Sequence, residues 1–131
     1  MAPTAPAPGS DTEFTFSETQ IALQAFAEIA NAWGLSTDDQ IKLLGSPARS
    51  TFFKWKKEGG VLPPDTQERL SHILNIYRTL QILLPDEEAA DKWMRLSNLA
   101  FNGESALQWA LGGRLGHLDE VRRYLDAQRG G

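Results

Sequence analysis

The stretch from Asp65 to Leu84 constrains the fold of this chain more than any other. Leu70, Ile73, Leu74, Tyr77, Leu80 and Leu84 recur along it at steps of three and four, without a proline or glycine, until Pro85 ends the run. That spacing puts the apolar side chains on one face of a long helix; a half-buried strand repeats every second residue instead. A helix with such a stripe has to bury it, so the rest of the chain must supply partners.

Those partners also read as helices, so the expected fold is all-α. Ser17 and Gln20 have capping-box spacing. Ala22, Phe26, Ile29, Ala30 and Trp33 then follow at helical spacing, predicting a first helix from about Ser17 to Trp33 that Gly34 closes. Ser36 or Thr37 caps a second helix through Leu44, with Ile41 and Leu44 inward. Gly45-Ser46-Pro47 forms a turn into a third helix, about Ala48 to Lys57, which stops at Gly59-Gly60. After the long fourth helix, Asp86 caps a fifth to about Leu96, and Asn98 to Glu104 is a loop. Ser105 caps a short helix through Leu111, Gly112-Gly113 breaks it, and a last helix from about Leu115 to Gln128 turns Leu118, Val121 and Leu125 inward. The start, MAPTAPAPGS, is too poor in large apolar residues to offset its ordering entropy, so residues 1–16 are expected to be disordered. Residues 17–64 then form a helix-turn-helix domain, 65–97 connecting or dimerisation helices, and 98–131 a small C-terminal helical domain.

Composition narrows the function. The absence of cysteine removes disulfides, thiolate metal sites and cysteine nucleophiles, and fits a cytoplasmic setting. No apolar run approaches the roughly 18 residues that span a bilayer, and the N-terminus has neither the basic start nor the apolar core of a secretory signal. Only His72 and His117 are available as imidazole ligands, and neither has further ligands at metal-site spacing. Asp86-Glu87-Glu88 reads as a helix N-terminus, where carboxylates complement the helix dipole. Gly112-Gly113 lacks the lysine and spacing of a phosphate loop. Neither a metal, a cofactor nor an enzymatic activity is expected.

The net charge of −4 argues against indiscriminate nucleic-acid binding, but the charge is unevenly placed. Residues 1–39 carry only acids: Asp11, Glu13, Glu18, Glu28, Asp38 and Asp39. Between Gln40 and Gly60, Lys42, Arg49, Lys54, Lys56 and Lys57 stand against Glu58 alone. Two short helices joined at Gly45, with the basic residues on the second, form a helix-turn-helix pattern. Phe52 and Trp55, three apart, face inward together and leave Arg49, Ser50, Lys54 and Lys57 outward. Arg49 would then read guanine and the lysines hold phosphate, with Ser50 and Thr51 beside them in the DNA-binding set. The competing reading is a helix-turn-helix that only builds the core. Phe53 cannot share the inward slot of Phe52, and it either covers the fourth helix or joins a dimer contact.

The C-terminal segment carries a more specific pattern. Phe101-Asn102-Gly103, Ser105-Ala106-Leu107, Leu111-Gly112 and Val121-Arg122-Arg123-Tyr124-Leu125 resemble the toxin-binding domain of the Xre/MbcA/ParS antitoxin family. The family shows an aromatic-x-Gly loop, a Ser-Pro-Leu helix start, a short helix ending at glycine, and a final helix ending in an arginine-leucine cluster. SPARSTFFKWKK is similar to the family's helix-turn-helix, so the resemblance covers roughly residues 20 to 131. Ala106 stands where the family often has proline, a change the helix tolerates because alanine is a good helix former.

The resemblance implies a cytoplasmic type II antitoxin. Its partner would be a RES-domain toxin that degrades NAD+, and its C-terminal domain would cover the toxin's active site. The complex would repress its own operon through the helix-turn-helix at operator DNA. The toxin-binding candidates that follow are Phe101, Trp109, Arg122, Arg123 and the tail Arg129-Gly130-Gly131. At least one of Phe101 and Trp109 is expected to be buried. The tail is read as flexible and able to thread into a nucleotide pocket, so its deletion should weaken neutralisation more than folding. A homodimer is expected, with Ile76 and Ile82, off the main stripe, either at the dimer surface or against the fifth helix. Two other readings stay open: a stand-alone transcriptional regulator whose C-terminal domain dimerises, and an adaptor that no longer binds DNA.

Overall fold

The regular structure is seven α-helices and one 3-10 turn, seen in a computed structural model that describes residues 16–112 and 115–130. Among the described residues there is no strand beyond one antiparallel bridge between Ser97 and Ser105. Helix α1 runs Phe16–Trp33. Its apolar face is the one the spacing predicts: Ala22, Phe26, Ile29, Ala30 and Trp33 are buried, with Leu23 beside them. Ser17 lies within the first turn instead of capping it, because the helix already starts at Phe16. The disorder expected before Phe16 falls outside the described residues, as do Gly113 and Gly131.

Gly34, with φ 65°, ends α1 in the left-handed conformation that glycine adopts without penalty. Two carbonyls at this end are satisfied from far along the chain. The Arg95 guanidinium donates from Nε to the Trp33 carbonyl at 2.9 Å and from Nη2 to the Gly34 carbonyl at 2.9 Å. The fifth helix stops short of the expected Leu96, because Asn98 N–H donates to the Glu104 carbonyl and the Met94 carbonyl accepts from Leu107 N–H, so neither continues the helical ladder. Helix α5 spans Glu87–Trp93, and tighter turns after it carry Arg95 to α1.

Helix α2 (Thr37–Leu43) is capped by Ser36, whose hydroxyl accepts from the Asp39 amide at 3.0 Å. Leu43 and Leu44 are fully buried and Ile41 half so. Gly45 and Ser46, with φ 96° and 60°, turn the chain into α3 (Arg49–Glu58). The N-terminus of α4 (Pro64–Leu83) holds this turn from below. Thr66 donates its hydroxyl to the Leu44 carbonyl at 3.1 Å, and Gln67 donates to the Leu62 carbonyl at 2.7 Å.

Helix α4 packs against α1 and α5 and, most extensively, against the last helix, α7 (Leu115–Gly130). Covered on more than one side, α4 buries Ile76 as completely as Leu70 and Ile73. Ile76 is therefore a core residue and not a free dimer surface, whereas Ile82 stays exposed. A short α6 (Ala106–Ala110) completes the C-terminal packing, and Leu118, Val121 and Leu125 bury the inner face of α7 as expected. Helix α7 continues two residues past the expected end: Arg129 and Gly130 are helical, not a flexible tail. A cation in the last turn complements the helix dipole, which favours this extension. No helix among the described residues is long and apolar enough to cross a membrane.

Candidate nucleic-acid interface and partner-binding loop

Two surfaces carry the features that sequence singled out. The first is α3. Phe52 and Trp55 anchor it in the core, so the helical period turns the positions between them toward solvent. Ser50, Lys54 and Lys57 are exposed, and Thr51 is half-buried at the edge of the same helix. Arg49 opens the helix and is also exposed, its Nη1 donating to Asp38 Oδ1 on α2 at 2.8 Å. Such a solvent-facing pair adds little stability and exchanges readily for another anion. Phe53 does not share the buried slot of Phe52. Its ring meets Phe52 edge-on at 5.4 Å and is 45% exposed. The Arg49 guanidinium carbon and Lys56 Nζ lie 5.7 and 5.9 Å from its centroid. The second helix of the turn thus presents a basic face with one open aromatic ring.

The second surface is the loop between α5 and α6. Sequence read Asn98 to Glu104 as plain loop, yet its backbone is closely tied. Asn98 N–H donates to the Glu104 carbonyl and Gly103 N–H to the Asn98 carbonyl, both at 3.0 Å. The Asn98 side chain accepts from the Ala100 amide at 2.9 Å, starting a 3-10 turn over Leu99–Phe101. Asn102 (φ 57°) then reverses the chain, a conformation that asparagine tolerates better than most residues. Ser105 and Gln108 form a reciprocal capping box at the start of α6. Below the turn, the buried Phe101 ring meets Trp109 at 6.1 Å and Tyr124 at 5.5 Å, and Tyr124 stacks on Trp93 at 6.1 Å.

This bracing leaves Leu99 93% exposed at the tip, with Leu96 exposed beside it. An open groove of about 320 Å³, lined by Ala100, Phe101, Glu120, Arg123 and Tyr124, separates the turn from α7. Leu96 and Leu99 were missed by sequence reasoning. Their signal was present: two leucines belonging to no helical stripe, in a stretch that needed no apolar residue.

The candidates named in the C-terminal segment separate by burial. Phe101 is only 3% exposed and holds the loop from inside. Trp109 is half-buried and donates Nε1–H to Glu120 Oε2 at 2.9 Å. Arg122 is half-buried too, its Nη1 3.1 Å from His72 Nδ1 on α4. Arginine can only donate, so His72 Nδ1 accepts and the imidazole is neutral with its proton on Nε2. Burial first, and the Arg122 charge second, hold His72 below the usual histidine range. Arg123 is exposed and pairs with Asp119 at 3.1 Å, while Arg129 and Gly130 are exposed at the end of α7. Arg123 and Arg129 are therefore the candidate cations open to a partner, and Gly131 lies outside the described residues. Among those residues, no group of three or more histidine and carboxylate side chains is placed to hold a metal ion.

Comparison with known proteins matches the chain in two parts, each containing one of these surfaces. Residues 16–75 match the antitoxin Xre-like helix-turn-helix domain, and residues 79–131 match the antitoxin Xre/MbcA/ParS C-terminal toxin-binding domain. An uncharacterized protein of Sinorhizobium fredii, y4oB, is 57% identical over 128 residues, covering 98% of this chain and 99% of its own length.

Proposed function

Since the chain belongs to the Xre/MbcA/ParS antitoxin family, we propose that it is the non-enzymatic antitoxin of a type II pair, neutralising a RES-type, NAD+-degrading toxin in the cytoplasm. In this reading the C-terminal domain covers the toxin's active site, with Leu99 and Leu96 as the apolar contact and Arg123 and Arg129 beside it. A homodimer places two copies of α3 in successive major grooves of operator DNA, and the complex represses its own operon. Arg49, Ser50 and Thr51 face base edges, and Lys54 and Lys57 hold phosphates.

The observation that carries this reading is the braced loop. Within the segment matching a toxin-binding domain, a hydrogen-bonded turn holds Leu99 93% exposed on a braced base, where a partner can bury it. An apolar group held on a rigid base loses little conformational entropy on docking, so more of its burial appears as affinity.

Co-expression with the product of the neighbouring gene tests it. One stable complex, release from growth arrest and an end to NAD+ loss are the expected results. A neighbour that never associates would remove toxin neutralisation and leave a stand-alone regulator with a dimerising C-terminal domain.

A further inference from the structure

We infer that Phe53 is a base-reading residue: its exposed ring takes up the 5-methyl group of a thymine in the major groove, with Arg49 and Lys56 on either side. The inference rests on the DNA-binding reading above and adds what that surface recognises. Phe52 and Trp55 fill the inward face of α3, and one residue is a rotation of about 100°. Phe53 is thereby turned off the core and stays 45% exposed, with Phe52 edge-on to its ring and the Arg49 and Lys56 cations near it. It is the fifth residue of α3, within the N-terminal part that a helix-turn-helix inserts toward base edges.

Chemistry then selects the ligand. A phenyl ring offers no hydrogen bond, so it gains nothing at the donor and acceptor edges of guanine, adenine or cytosine. Thymine alone presents an apolar group in the major groove. The cations at 5.7 and 5.9 Å are suited to adjacent phosphate or guanine, so the whole face complements a polyanion. A second copy of the chain is a poorer occupant. In a two-fold contact centred on Phe53, Arg49 and Lys56 of both copies would converge. Asp38, the exposed acid nearest Arg49, is already paired with it.

The test uses the full chain and the duplex upstream of its own gene, prepared with thymine or with uracil in its place. Binding of wild type and Phe53→Ala to both duplexes is measured by fluorescence anisotropy. One buried methyl corresponds to about 0.8 kcal/mol, or roughly four-fold in affinity. Wild type is expected to prefer thymine DNA by about four-fold per contacted methyl, and Phe53→Ala to lose that preference while melting like wild type. Equal thymine preference in both proteins, or none in either, would overturn the assignment while leaving DNA binding intact. Wild type that binds neither duplex overturns the DNA-binding reading itself. A Phe53→Ala chain that dissociates to monomers would give the ring to a second copy instead.

Discussion

Gly45, at the turn between α2 and α3, is a position where a single methyl group should meet both conformational strain and a close side-chain contact. Its φ of 96° lies where a side chain is strained, and a Cβ there would stand 2.8 Å from Asp65 Oδ2 and 3.2 Å from Arg69 Nε. Those two atoms form a pair at 2.8 Å, and the Arg69 side chain is only 7% exposed while Asp65 is half exposed. Forcing an L-residue into a left-handed conformation costs about 1–2 kcal/mol. Loosening a partly buried ion pair adds about 1 kcal/mol, well below the figure for a fully buried one. Gly45→Ala should therefore lose about 2–3 kcal/mol, or roughly 10 °C in Tm for a chain of this size. Urea and thermal unfolding followed by circular dichroism measure it, and repeating the substitution in an Asp65→Ala background divides the two causes. With the carboxylate gone, only the conformational cost of about 1–2 kcal/mol should remain. Ser46→Gly is the control: at φ 60° it relieves strain but adds unfolded-state entropy, so its net effect should be near zero. An equal loss for Gly45→Ala in both backgrounds would refute the steric argument, and a loss below about 0.5 kcal/mol would refute the conformational one as well.

The remaining predictions concern charge and contact. His72 titrates below its ordinary value of 6.5 in the folded chain, so between the two values the unfolded state binds the extra proton. Stability is then full above about pH 6.5 and falls as pH drops through the lower folded value. His72→Gln, which can still accept from Arg122, should flatten this dependence in urea midpoints taken at about pH 7.5 and 5.5; an unchanged slope would remove His72 as its source. Asp38→Asn frees Arg49 from its 2.8 Å pair and should tighten promoter binding at fixed salt concentration, since no ion pair then has to break before the guanidinium reaches a base edge. Promoter affinity equal to wild type would place Arg49 away from DNA. Leu99→Asp should weaken toxin binding by more than about ten-fold, as for an interface anchor, without lowering Tm, because Leu99 buries almost nothing in the free chain. Unchanged toxin affinity in calorimetry would move the contact elsewhere on the domain.

Helical architecture was legible because it rests on local periodicity. Ala22, Phe26, Ile29, Ala30 and Trp33, and Leu118, Val121 and Leu125, are buried as their spacing requires. Capping at Ser36 and Ser105 could also be read, since it depends on residues three apart. What could not be read depends on distant partners. Helix α5 ends early where the Asn98 amide and the Met94 carbonyl pair with Glu104 and Leu107 across the loop, and the Arg95 side chain reaches carbonyls 61 and 62 residues away; no local pattern marks either. Ile76 lies off the main stripe of α4, yet it is fully buried because the helix is covered on more than one side. At the sites, the basic face of α3 was legible from its charges. The size of Phe101 suggests a contact, but a large aromatic in a small domain also serves as the core under a loop, and Phe101 is 3% exposed. The residue left outside was Leu99.

Helix α4 decides how the two surfaces relate. The helix-turn-helix match ends at residue 75 and the toxin-binding match begins at 79, both inside the unbroken helix Pro64–Leu83. A hinge there would have to break helical hydrogen bonds beside Ile73, Ile76, Thr79 and Leu80, all of them buried, and would expose apolar area that stabilises both halves. The Arg95 contacts tie the end of α5 back to the end of α1, a second connection outside α4. A partner seated at Leu99 is consequently held at a fixed place relative to α3. Coupling between the two surfaces then has to act through what the bound partner brings beside the DNA, such as bulk, charge or a second copy of the chain, because a swing of one domain against the other would have to tear this shared core.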